Sequence, residues 1–185
     1  GIAMAVVVIS KGIDLSLIAT LAVGTALASI ISSPDVLPSI DLPFVYAVLL
    51  GFLFTAILCA ITGILVAYWD MASVFVTLAM AGVIYGLGRT LFIGDELNYL
   101  PEDAIWLEYL GRGQLLGVPM PIICFLSLAL TMHLVLTKTT FGKFVYSIGD
   151  SGLAARTAGV PVRPILVIIF IIAGLVAYFA GLLTA

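Results

Sequence analysis

Residues 141–164 read FGKFVYSIGDSGLAARTAGVPVRP and separate two long apolar stretches of the chain. The pattern predicts a short helix held outside a bilayer. Asp150 or Ser151 can serve as its N-cap, and residues 152–158 (GLAARTA) are mostly good helix formers. Gly159 suits the left-handed position just past a helix end, and Pro161 forbids continuation. Two turns at most fit, and a helix that short is marginal alone in water. It must therefore pack against its own chain or a partner, either as an ordinary connecting loop or as a docking element.

The flanks make the bilayer unavoidable. The chain has 185 residues, 63% of them hydrophobic and 9% charged, with a mean hydropathy of +1.32. No soluble core of that size hides so much apolar side chain, so the fold class is an all-α polytopic membrane helix bundle. The net charge of −3 and seven basic residues, scattered or in one loop, leave no basic face, which sets nucleic acid aside as a partner. Cys59 and Cys124 both fall inside apolar spans and behave there as small hydrophobes.

In chain order, residues 1–9 are apolar but too short to span, and read as the truncated end of a helix. Five full spans are then expected, over about 14–33, 43–68, 72–92, 118–137 and 164–184. On the first, Ser16, Thr20, Gly24, Ala28 and Ser32 recur every four residues. On the second, Gly51, Thr55, Cys59 and Gly63 do the same. Such stripes either line a solute path or let helices approach closely. Asp14, at the start of the first span, must be an N-cap, pair with Lys11, or face water. Ala173, Ala177 and Gly181 give the last span a small packing face.

Residues 93–117 hold Asp95, Glu96, Glu102, Asp103 and Glu108 against the single base Arg112. There Pro101, Glu102 and Asp103 open a short amphipathic surface helix carrying Ile105, Trp106 and Tyr109. Lys138, Lys143, Arg156 and Arg163 concentrate in the 138–163 segment, which is therefore cytoplasmic, and the acidic 93–117 loop is external. Residues 10–13 and 69–71 then fall on the cytoplasmic side too. No nucleophile with its base, phosphate-cradling glycine loop or metal constellation is evident, so no catalytic residues, metal or cofactor are expected. His133, near the basic end of its span, reads as a packing or interfacial residue.

Several separate motifs resemble the permease subunits of ribose-type ABC sugar importers, in the branched-chain amino acid and ribose permease superfamily. The loop carries Phe141, Gly142, Lys143, Tyr146, Ile148, Gly149, Ala154, Ala155, Arg156, Gly159 and Val160 of the family's pattern. KGIDLSLI at 11–18 is similar to the family's GGIDLSVG, with Lys11 for the first glycine. TGILVA at 62–67, with Thr62 for the family's Asn, and FVTLAM at 75–80, with Ala79 for its Gly, resemble further signatures, as does LGRGQLLGVPMP at 110–121. The resemblance implies a membrane subunit that translocates a sugar or sugar-like solute, working as a homo- or heterodimer with a second permease subunit. An external solute-binding protein would deliver the solute and a cytoplasmic ABC ATPase would drive transport. The setting is the bacterial inner membrane, in a family whose members are about twice this length.

It also implies that the loop is the coupling helix, with Gly149, Asp150, Ser151, Leu153, Ala154, Ala155, Arg156, Ala158 and Gly159 as its residues. Arg156 would sit at the edge for a carboxylate on the ATPase. Asp14, Ser16, Thr20, Gly24, Thr55, Thr62 and Thr77 are the candidate lining of the solute path. A stand-alone channel or secondary transporter, or a membrane scaffold without a path, are the alternatives.

Overall fold

The computed structural model describes residues 1–23, 44–91, 105–115 and 117–184. In chain order it has α1 (Ile2–Ile9), α2 (helical over 17–23), α3 (Phe44–Tyr68), α4 (Ser73–Leu91) and α5 (Ile105–Arg112). After these come a two-strand hairpin and then α6 (Met120–Lys138), α7 (Thr140–Asp150), α8 (Gly152–Thr157) and α9 (Val162–Leu182). The hairpin pairs Gln114 with Pro119 and Leu115 with Val118, and turns at Gly117 with φ +81°. Among the described residues four helices, α3, α4, α6 and α9, are long and apolar enough to cross a membrane. They match four of the five expected spans closely. Of the fifth, expected over 14–33, only the start is described, and it turns helical at residue 17. Gly24 and residues 92–104, with most of the acidic segment expected to be external, lie outside the described residues.

Helix α9 is the centre of the bundle, with Ile169, Ala173 and Tyr178 wholly buried. One face meets α3 along the stripe of Gly51, Thr55, Cys59 and Gly63. A Cβ at Gly63 would stand 2.8 Å from Val167 Cα, one at Gly174 would run into Cys59 Sγ, and one at Gly51 into Tyr178 Oη. Lipid tails are as apolar as leucine, so close van der Waals contact between small residues is what holds such a pair together. Tyr178 fills the space that Gly51 leaves: its ring meets Phe52 edge-on at 4.6 Å and its Oη donates to the Val48 carbonyl at 3.2 Å. The opposite face of α9 forms a cluster with Ala3, Val6 and Val7 of α1, Val145 and Ile148 of α7, and Ala155 of α8. Gly181 abuts the Leu21 carbonyl of α2, which a Cβ would approach to 2.6 Å. Leu136 is the one residue of α6 that is buried, and Phe125, Leu126 and Leu130 point outward. That surface suits lipid or further helices.

The 141–164 stretch corrects the expectation of a single short helix, because the eleven-residue α7 precedes α8. Thr139 separates α6 from α7 in an extended conformation. Its hydroxyl donates to Val135 O at 2.6 Å and accepts from the Gly142 amide at 3.3 Å, so one side chain ends one helix and caps the next. Phe141, Phe144, Val145 and Ile148 turn toward the core, and Lys143, Tyr146 and Asp150 face outward. The segment is amphipathic and lies against the bundle's end.

Candidate functional site

At that end α8 presents a defined surface. Ser151, of the two expected caps, is the N-cap: its hydroxyl accepts from the Ala154 amide at 3.3 Å. The C-terminus closes as a Schellman motif. Val160 N–H bonds Ala155 O at 3.0 Å and Gly159 N–H bonds Arg156 O at 3.1 Å, with Gly159 at φ +85°. Ala155 is buried and fixes α8 to the core, and Gly149 is pressed against the Ile9 carbonyl with no room for a Cβ. Leu153, by contrast, is 76% exposed, and Ala154, Arg156 and Ala158 are exposed beside it. The nine loop residues thus divide into those that anchor α8 and those that face away from the chain.

Two side chains from other turns reach this segment, and neither was visible in the sequence. Lys11 Nζ donates to the Asp150 carbonyl at 2.9 Å, so it pairs with the end of α7 and not with Asp14. A cation there complements the negative end of the helix dipole. Asp70, in the turn between α3 and α4, lies 3.2 Å from Arg156 and 3.9 Å from Arg163, and Arg163 stacks 5.5 Å over the Tyr68 ring. The carboxylate that Arg156 engages here belongs to its own chain. These contacts bring residues 10–13, 69–71 and 138–163 to one end of the bundle. Both carboxylate pairs are well exposed, so each is weakened by screening and by side-chain entropy.

Of the other candidates, Asp14, Ser16, Thr20 and Thr77 meet where the chain unwinds before α2, and Thr55 and Thr62 stand on α3. Asp14 Oδ1 accepts from the Ser16 amide at 2.9 Å and its hydroxyl at 2.6 Å, an Asx-type turn over 14–16 just before the helix. The Ile13 amide donates to Ser73 Oγ and the Leu15 amide to Thr77 Oγ1, both at 3.1 Å, and Thr77 Oγ1 reaches back to Ile13 O at 3.3 Å. Backbone that leaves the helix within a membrane protein needs such partners, and α4 supplies them. Thr20 bonds Ser16 O at 2.9 Å and Thr62 bonds Leu58 O at 3.0 Å, each one turn back. Asp14, Ser16, Thr20, Thr55, Thr62 and Thr77 are all buried. Asp14 borders open space. It lines a cavity of about 410 Å³ with Leu17, Leu21, Phe125, Leu128 and Ala180, and its Oδ2 is buried without a hydrogen-bond partner among the described residues. Among the described residues, no group of three His, Cys, Asp or Glu side chains could hold a metal.

The chain has relatives among characterised transport proteins. It is 34% identical to the L-arabinose ABC transporter permease protein of Azospirillum brasilense over 88% of this chain and 48% of that one. It is 33% identical to the ribose import permease protein of Bacillus subtilis over 96% of this chain and 53% of that one. It is 31% identical to the galactofuranose transporter permease protein of Escherichia coli over its whole length and 51% of that protein. The chain thus spans about half the length of the curated relatives it matches. No solved structure matches it significantly. The family model for the permease component of branched-chain amino acid transport systems matches residues 1–185 throughout, so the chain belongs to that permease family.

Proposed function

We propose that the protein containing this chain is the membrane-spanning subunit of a bacterial inner-membrane ABC importer for a sugar or sugar-like solute. In this reading it receives the solute from an external binding protein, works beside a second permease subunit, and is driven by a cytoplasmic ATPase. The 138–163 segment is its cytoplasmic coupling loop and 93–117 its external loop. The observation that carries the reading is the exposed face of α8, where Leu153 stands away from the core at the end of the bundle that gathers Lys11, Arg156 and Arg163. A short helix with one apolar side chain outward is suited to a partner's groove. Leu153 is mostly exposed, so Leu153→Asp should leave the melting temperature of the complete permease unchanged and abolish capture of the ATPase in detergent. Wild-type capture by Leu153→Asp would rule out α8 as the docking element.

For the solute path we propose a division of labour among the polar residues. The hydroxyls of Ser16, Thr20, Thr62 and Thr77 are turned to main-chain or carboxylate partners and, with Thr55, keep the wall in shape. The buried Oδ2 of Asp14, at the edge of the cavity, is the group that a solute hydroxyl would bond once the path opens. Asp14→Asn keeps the Ser16 acceptor and replaces only that oxygen, so uptake should fall about tenfold, the scale of one hydrogen bond lost. ATPase capture should stay normal. Unchanged uptake would leave Asp14 a purely structural turn residue.

A further inference from the structure

We infer that Lys11 and Asp70 are positioning residues that tie the coupling segment to two separate helix turns and carry its displacement into the spans; this rests on the coupling reading of α8. Among the described residues, these two are the only ones other than glycine with left-handed backbone, Lys11 at φ +59° and Asp70 at φ +51°. Residues with a Cβ rarely adopt that conformation, and where they do, the surroundings or a function hold them there.

Lys11 closes a Schellman motif at the end of α1, with Lys11 N–H bonded to Val8 O at 2.9 Å and Gly12 N–H to Val7 O at 3.0 Å. Glycine is the usual occupant of that position. A lysine there accepts an unfavourable backbone, and its amine spans to Asp150, at the junction of α7 and α8. Asp70 occupies the corresponding left-handed position just past α3, and its carboxylate meets Arg156 in the last turn of α8 and Arg163 in the first turn of α9. The two ties therefore hold opposite ends of α8, one to the α1–α2 turn and the other to the α3–α4 turn. The turn that Lys11 begins leads directly into the unwound residues 13–15, which are bonded to Ser73 and Thr77 of α4. A displacement of α8 thus has a bonded route to α2 and to α4 that does not depend on lateral packing of α9.

The test uses the complete permease with its ATPase, in a Cys59→Ala, Cys124→Ala background with one cysteine placed at Thr90, an exposed position in the last turn of α4. Maleimide labelling at Thr90 is compared with and without ATP and vanadate, and ATPase capture is measured in parallel. In the otherwise wild-type protein the nucleotide should change the labelling rate severalfold. The double variant Lys11→Gly, Asp70→Asn keeps backbones that tolerate the left-handed region but removes both ties. It should capture the ATPase normally while the nucleotide effect falls by about fivefold, the scale of two exposed polar ties lost together. The conservative pair Lys11→Arg, Asp70→Glu should restore most of the effect. A full nucleotide effect in the double variant overturns the inference, as does loss of capture by that variant or absence of any effect in a wild type that captures the ATPase. A wild type that captures no ATPase instead refutes the coupling reading itself.

Discussion

Gly159→Val in the complete permease should abolish association with the ATPase, whereas Gly159→Asn should preserve most of it. Space is not the reason, since a Cβ at Gly159 meets nothing within 4 Å. The reason is the backbone: φ is +85°, and a β-branched residue is strongly disfavoured there, at about 1–3 kcal/mol for such a strained position. Helix α8 has six residues and is held by its cap, by Ala155 and by the two Schellman bonds that the Gly159 conformation makes possible. So short a helix has no reserve of its own to absorb that strain. Leu153 and Ala154 would lose their fixed presentation while the spans, whose packing runs through α3 and α9, stay intact. Asparagine enters the left-handed region several-fold more readily than other non-glycine residues, so it separates backbone strain from loss of glycine as such. The measurement is ATPase pull-down in detergent beside a thermal-unfolding control. Undiminished capture by Gly159→Val would mean that the ordered C-terminus of α8 does not matter for docking.

How far the sequence could be read depended on whether the deciding contact was local. The four described spans, the Ser151 cap and the left-handed Gly159 rest on hydropathy and on residues within one turn, and all were legible. Helix α7 was not, although Phe141, Phe144, Val145 and Ile148 carry helical spacing. Gly142 and Gly149 argue against a helix on propensity. The structure uses both for close approach, Gly142 to the Leu136 carbonyl and Gly149 to the Ile9 carbonyl, so tertiary contact overrode local preference. Lys11 and Asp14 are three residues apart and invited pairing, but the left-handed backbone at Lys11 sends its amine to Asp150. The Asp70–Arg156 pair joins positions 86 apart and leaves no periodic trace. Of the path candidates, the sequence could find buried small polar residues but could not tell which hydroxyl has its partner one turn back and which group faces a cavity.

Gly174→Ala should destabilise the permease, and Cys59→Ala should recover part of the loss. The added methyl would fall on Cys59 Sγ, at the centre of the seam between α3 and α9, where neither helix can move without disturbing Tyr178 or Ala173. Overpacking of this kind costs about 1–3 kcal/mol. Cys59→Ala alone removes one buried sulfur and should be mildly destabilising. Combined with Gly174→Ala it clears the atom in the way and leaves only Cys59 Cβ at 3.1 Å, which a shift of a few tenths of an ångström accommodates. The double variant is thus more stable than Gly174→Ala, a non-additivity expected only of residues in direct contact. Gly63→Ala provides the contrast: its methyl would meet the Val167 main chain at 2.8 Å, so trimming side chains cannot relieve it and the helices themselves must separate. Thermal unfolding in detergent should rank wild type first, then the Gly174→Ala, Cys59→Ala pair, then Gly174→Ala, with Gly63→Ala lowest and unimproved by Cys59→Ala. If Gly174→Ala melts with the wild type, or Cys59→Ala rescues Gly63→Ala equally, the stripe on α3 does not form the seam with α9, and its small residues are free to border a solute path instead.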